Sequence, residues 1–190
     1  LNVDGKICAD VGASTGGFTD CLLQHGAARI YAIDVGKGIL HWKLRRDARL
    51  VVMEETNARY VERLPEAVEF ITIDASFISL KVLLPVVKAW CQDQAEIVAL
   101  IKPQFEAGRK QAARGKGVIR DPQIHRDVLN EILTFAESEG YGLNGLIQSP
   151  VIGPKGNHEF LVWLGLGIPE VRAENWGDWI TALVPLDELE

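Results

Sequence analysis

From its first residues onward the chain alternates short apolar runs with segments of helical periodicity, the pattern of repeated strand–helix units around a mostly parallel sheet. The runs Lys6 to Val11, Arg29 to Asp34, Leu50 to Met53, Val68 to Asp74, Glu96 to Ile101, Gly142 to Gln148 and Glu159 to Leu164 are candidate strands. Helices are expected from about Gly17 to His25, Gly38 to Arg46, Ser79 to Cys91 and Pro122 to Glu139. Together these elements predict an α/β fold, a Rossmann-like doubly wound seven-stranded sheet that is mostly parallel with its last strand antiparallel.

The pattern lapses between Pro103 and Asp121. There Gly108, Gly115 and Gly117 are interleaved with Arg109, Lys110, Arg114, Lys116 and Arg120, which suits a mobile loop that grips phosphates, with plain disorder as the other reading. After Gly167, Trp176 and Trp179 point to an amphipathic helix that docks on the body. The expected organisation is one domain over residues 1–167 and an acidic helical tail over 168–190.

Hydrophobic residues make up 47% of the chain and charged residues 24%, enough for a core and without a sign of disorder. Cys8, Cys21 and Cys91 are dispersed and form no C-x-x-C pair, and the four histidines show no ligand spacing. A reducing cytoplasm and no metal are expected. No secretory leader and no membrane-spanning run are visible. The net charge of −6 argues at first against a nucleic-acid partner. Most of it sits in the tail, however, in Glu170, Glu174, Asp178, Asp187, Glu188 and Glu190 against Arg172. Two earlier stretches are basic, the loop just described and the segment holding Lys37, Lys43, Arg45, Arg46 and Arg49. Either could be a phosphate-binding or a merely solvated face.

The first strand ends in Asp10-Val-Gly-Ala-Ser-Thr-Gly-Gly-Phe18, a glycine-rich turn that opens a helix. Gly12, Gly16 and Gly17 let backbone approach a ligand, and the helix N-terminus offers N–H groups suited to a carboxylate, with Asp10 placed for an ammonium. Asp34, about 20 residues beyond the turn, can accept hydrogen bonds from ribose hydroxyls. Glu54-Glu-Thr-Asn57 after the third strand places Thr56 and Asn57 where an adenine edge is read, although such residues also form turns. A nicotinamide dinucleotide would share the fold and Asp34, but the glycine spacing is not G-x-G-x-x-G.

Asp74 and Lys102 end apolar strands and Glu159 begins one, so an antiparallel last strand would bring all three to one edge of the sheet. An Asp74–Lys102 ion pair of purely structural meaning is the alternative.

In this order, Asp-Val-Gly-Ala-Ser-Thr-Gly-Gly-Phe-Thr-Asp, Ile-Asp-Ala-Ser-Phe-Ile-Ser-Leu, Lys-Pro-Gln-Phe-Glu and Gly-Asn-His-Glu-Phe-Leu resemble the TlyA-type (hemolysin A) enzymes and their wider FtsJ-like relatives, from about Val3 to Leu166. The resemblance implies a methyltransferase sheet, S-adenosyl-L-methionine as cofactor, and methyl transfer to a ribose 2'-hydroxyl of ribosomal RNA, free or in ribosomal subunits. It implies Asp74, Lys102 and Glu159 as the last three members of a Lys-Asp-Lys-Glu tetrad. The implied cofactor contacts are Asp10, Gly12, Ser14, Thr15, Gly16, Gly17, Phe18, Asp34, Val35, Thr56, Asn57 and Asp74. The implied RNA contacts are Arg109, Lys110, Arg114, Lys116 and Arg120. The family's first tetrad lysine and S4-type RNA-binding domain precede the glycine motif, and here the first strand starts almost at once. Lys6 matches no family lysine. The expectation is a piece of a longer protein that binds cofactor yet is catalytically deficient by itself. A non-catalytic RNA-binding or ribosome-associated module is the other reading.

Overall fold

The computed structural model describes residues 1–108, 111, 115–169 and 176–186. Seven strands, β1 (Ile7–Val11), β2 (Arg29–Ile33), β3 (Leu50–Met53), β4 (Val68–Ile73), β5 (Cys91–Ile101), β6 (Gly142–Gln148) and β7 (Phe160–Leu166), form one sheet in the order β3-β2-β1-β4-β5-β7-β6. β1 to β5 pair in parallel, whereas β7 runs antiparallel to both β5 and β6, between which it is inserted. The expected fold class is therefore present, with the strand order reversing between β1 and β4, where open α/β sheets bind ligands.

The helices are α1 (Gly17–Gln24), α2 (Leu80–Lys88), α3 (Pro103–Glu106), α4 (Pro122–Ser138) and α5 (Trp176–Leu183). The central strands are mostly apolar and buried on both faces, and Ala9, Ile71, Ile73, Ile97, Ala99 and Ile101 are wholly inaccessible. Helix starts follow local chemistry. Asp121 accepts from the Gln123 N–H ahead of Pro122, and Ser79 accepts from the Lys81 N–H. Glu106 reaches across from α3 to the start of α2, accepting from Ser79 Oγ (2.6 Å) and the Leu80 N–H (2.8 Å). Burial pushes its carboxyl up despite those bonds.

Three expectations need correction. No helix forms from Gly38 to Arg46; the segment is irregular and ends in one 3-10 turn, Leu44–Arg46. The segment is tied outward, by the His41 N–H to the Thr15 carbonyl (3.1 Å) and the Leu40 N–H to Glu54 Oε1 (3.4 Å). Gly38 at φ 70° breaks any helical run. At the other end, α2 stops at Lys88 and β5 begins already at Cys91, because buried Trp90 turns the chain and donates from Nε1 to the Val61 carbonyl (2.9 Å). Finally, the stretch from Pro103 is not irregular throughout, since Pro103 at the first helical position opens α3.

In the C-terminal stretch, α5 packs against α4 and β6, burying Ile180 and half-burying Trp176 and Trp179. Glu170, Glu174, Asp187, Glu188 and Glu190 lie outside the described residues.

Candidate active site

The parallel register sets a row of functional positions. Val11 pairs with both Ile33 and Ile73, and Ile33 pairs with Met53, so Gly12, Asp34, Glu54 and Asp74 follow one another along the carboxyl edge. The ladder continues one step into them, the Gly12 N–H donating to the Ile33 carbonyl and the Asp74 N–H to the Val11 carbonyl.

The glycine turn is built for close backbone approach. Gly12 has φ 82°, and a Cβ there would lie 2.5 Å from the Asp74 carbonyl oxygen. The residue capping α1, Gly16, is left-handed and offers no side-chain cap; the Thr19 N–H bonds to Asp10, which leaves the Gly17 and Phe18 amides for an incoming group. A side chain at Gly17 would meet open space. Ser14, also at positive φ, donates its N–H to Asp34 Oδ2 (2.8 Å), which ties the turn to the end of β2. Asp34 Oδ1 accepts from the Gly36 N–H (2.7 Å). Ser14, Thr15 and Gly17 are exposed and Phe18 is half-buried.

Asp10 lies beneath the turn, not at its surface. It is wholly inaccessible, accepting from Thr19 Oγ1 (2.6 Å) and Thr72 Oγ1 (2.8 Å). Burial pushes its carboxyl up, and the charge of Asp74 adds to the rise. Both carboxylate oxygens thus hold the turn in place. Further along the edge, Val35 is exposed, Thr56 Oγ1 donates to the Glu54 carbonyl (2.9 Å), and Asn57 Oδ1 accepts from the Arg59 N–H (3.1 Å) as cap of a 3-10 turn.

Asp74, Lys102 and Glu159 meet at a cavity of about 1110 Å³ over the ends of β4 and β5 and the start of β7. Lys102 Nζ stands 2.5 Å from Asp74 Oδ1, an ion pair without hydrogen-bond alignment, and donates to Ser76 Oγ at 3.4 Å. Antiparallel pairing of Ile101 with Phe160 makes Lys102 and Glu159 neighbours across the ladder. Buried Glu159 accepts from Gln104 Nε2 (2.6 Å). Phe18, from the glycine turn's helix, and Phe105 also line this cavity.

The sequence of the chain matches the FtsJ-like methyltransferase family over residues 1–166. The chain belongs to that family. Among the relatives of this FtsJ-like chain, a provisionally named rRNA methyltransferase, YqxC of Bacillus subtilis, is 50% identical over 88% of this chain and 61% of its own length. The 16S/23S rRNA (cytidine-2'-O)-methyltransferase TlyA of Mycobacterium tuberculosis is 45% identical over 86% of this chain and 62% of its own length. A solved structure, provisionally called a hemolysin, from Streptococcus thermophilus superposes with a TM-score of 0.88 at 44% identity, over 96% of this chain and 67% of that one. The chain thus spans about three-fifths of the length of the curated relatives it matches. Family membership decides against the nicotinamide dinucleotide reading. Among the described residues, no helix is long and apolar enough to cross a membrane.

Of the basic loop, Arg109, Lys110 and Arg114 lie outside the described residues, while Lys116 and Arg120 are exposed and Gly117 between them lines the cavity. Sequence reasoning missed the residues that hold this FtsJ-like site together. Asn157 is buried, donating from Nδ2 to the Gly117 carbonyl (3.0 Å) and accepting from the Ile119 N–H (3.1 Å). His125, also buried, binds the Ile119 carbonyl through Nε2 (3.0 Å). Gln104 and Asn157 sit inside the motifs that carried the resemblance, and only their polar character in apolar surroundings marks them out.

Two results are expected here. Gln104→Leu should lower turnover with cofactor affinity unchanged, because it strips buried Glu159 of its donor; equal turnover for variant and parent would deny Gln104 that role. Burial holds the His125 imidazole below its ordinary value of 6.5, so the neutral ring is the folded form. Its contribution to stability is present above that value and lost as pH falls toward the lower folded value. Thermal melts at pH 7.5 and 5.5 should then show a smaller acid loss for His125→Gln than for the parent.

Proposed function

We propose that this chain is the cofactor-binding and catalytic part of an enzyme that transfers a methyl group from S-adenosyl-L-methionine to a ribose 2'-hydroxyl of ribosomal RNA. The observation that carries the reading is the Asp74–Lys102 pair, with Glu159 beside it, at the edge of a methyltransferase sheet next to an uncapped glycine turn. The names of the TlyA relatives support the same substrate. A ribosomal RNA substrate would put its place of work in the cytoplasm.

The residues fit the cofactor. Amides at the start of α1 suit the carboxylate of its methionine part, Asp34 suits its ribose hydroxyls, and the space beside Gly17 is open. When bound, the cofactor supplies a methyl group on a cationic sulfonium. Asp10 acts through the turn that it braces, and Val35, Thr56 and Asn57 border the adenine side.

A ribose hydroxyl is a poor nucleophile, so the site must align it and remove its proton. Lys102, at the end of β5 and facing the cavity, is the base that takes that proton. Asp74 orients Lys102 through the ion pair, and Glu159, held by Gln104, fixes the acceptor end. Lys116 and Arg120, with Arg109, Lys110 and Arg114, approach the RNA backbone.

Calorimetric titration of the full-length protein with S-adenosyl-L-methionine, with NAD as control, tests the cofactor. Transfer of labelled methyl to ribosomal RNA, followed by nucleoside analysis, tests the reaction. Saturable binding and 2'-O-methylated nucleosides are expected. RNA binding without cofactor binding would establish the non-catalytic module instead.

A further inference from the structure

The irregular segment between β2 and β3 has two sides. Leu40 and Leu44 face inward and close on Gly16, where an added Cβ would lie 2.9 Å from Leu40 Cδ1. Trp42, by contrast, is 55% exposed. The Arg46 guanidinium lies 4.8 Å and Lys43 Nζ 5.8 Å from its ring centroid, and the His41 ring stacks beside it at 5.8 Å.

The other cations of this segment are neutralised. Lys37 pairs with Glu55, Arg45 with Glu54, and Arg49 with Asp47. Among the described residues, Lys43 and Arg46 have no carboxylate within ion-pair reach, so two uncompensated cations flank an exposed indole on a chain of net charge −6. Burying a large apolar ring would have been favourable, and leaving it at the surface with unpaired cations against it forgoes that gain.

We propose that Trp42, Lys43 and Arg46 form a second RNA-docking surface, in which an unpaired base of the substrate strand stacks on the indole while the two cations hold the adjoining phosphates. The proposal rests on RNA being the substrate, as argued above. An aromatic face with flanking cations is sequence-tolerant and suits single-stranded nucleic acid, whose bases offer π-faces and whose backbone offers charge. Position supports the assignment. The segment hangs from the cofactor turn through the His41 N–H to the Thr15 carbonyl, at the same edge of the sheet as Lys102. Between β2 and β5 lie three strand spacings, about 14 Å. That is the rise of about four stacked nucleotides. A strand with its acceptor ribose at Lys102 therefore needs only a few nucleotides to reach the side of the sheet from which the Trp42 segment departs, and Gly117 of the basic loop lines the cavity on the other side.

The test measures binding of protein-free ribosomal RNA to the full-length protein, without cofactor, for Trp42→Leu, Trp42→Phe and the double variant Lys43→Ala/Arg46→Ala. Trp42→Leu should weaken RNA binding about tenfold, the loss of one stacked base. Trp42→Phe, which keeps an aromatic face, should recover most of it. The double variant should reduce the salt dependence of log Kd by about 0.7 for each removed cation. Thermal stability and S-adenosyl-L-methionine affinity should not move. RNA affinity unchanged in Trp42→Leu overturns the proposal. So does a Trp42→Leu protein with parental RNA affinity and a lowered Tm, which would show the indole covering another part of the longer protein. Trp42-dependent RNA binding in a parent protein that transfers no methyl group would keep this surface and overturn the activity.

Discussion

Replacing Lys102 with alanine in the full-length protein is expected to slow RNA methylation by a factor of about 10² to 10⁴, the usual contribution of a positioned general base. Cofactor affinity should stay where it was, because the glycine turn and Asp34 are untouched. Lys102→Arg separates the roles that a lysine can have here. Arginine keeps a charge opposite Asp74 but cannot become neutral near physiological pH, so a base requirement leaves it as slow as alanine. Rates recovering in Lys102→Arg would assign the residue to electrostatic positioning, and unchanged methylation in Lys102→Ala would remove it from the mechanism. The pair with Asp74 makes the experiment tolerable for the fold, since Asp74 is partly exposed and can turn to solvent.

The second large effect is on stability. Gly12→Ala forces a side chain into the left-handed region, at about 1–2 kcal/mol. It also sets a Cβ 2.5 Å from the carbonyl oxygen of Asp74, a contact with backbone that no rotamer relieves. β1 and β4 must part at the switch point, and a total loss of about 3 kcal/mol is expected. For a chain of this size the melting temperature should fall by about 6–12 °C. Binding of S-adenosyl-L-methionine should weaken in parallel, because the displaced strands carry Asp74 and the turn together. A variant with the parent's melting temperature would show that the turn relaxes independently of β4.

The strands were legible because burial on both faces leaves runs such as Ile7–Val11 and Val68–Ile73 mostly apolar, interrupted only by Asp10 in the first and by Glu69 and Thr72 in the second. Asp74, Lys102 and Glu159 were legible as charges set directly against such runs, and the register puts them at one edge as that placement required. The segment after Asp34 was misread because its periodicity belongs to two leucines that pack on Gly16, a contact that local pattern does not contain. Asp10 looked like a ligand contact from its place at the turn, and only the structure shows Thr19 and Thr72 occupying it. Gln104 was invisible for a similar reason, because its partner Glu159 lies far along the chain. The antiparallel sense of the last strand could be argued from the placement of Glu159, but its insertion between β5 and β6 could not, since nothing local distinguishes an edge strand from an inserted one.

That insertion bears on how the protein is made. β5 and β6 do not pair with each other; when β7 arrives between them, β5, already paired with β4, gains its second neighbour and β6 gains its ladder partner. As the polypeptide emerges, the part through β5 can assemble its parallel core around the glycine turn while the flank of β5 stays open, an aggregation-prone edge until covered. The strand that covers it also delivers Glu159 to Lys102. Closing the sheet and bringing together the proposed Asp74–Lys102–Glu159 group are thus one event in the life of the chain.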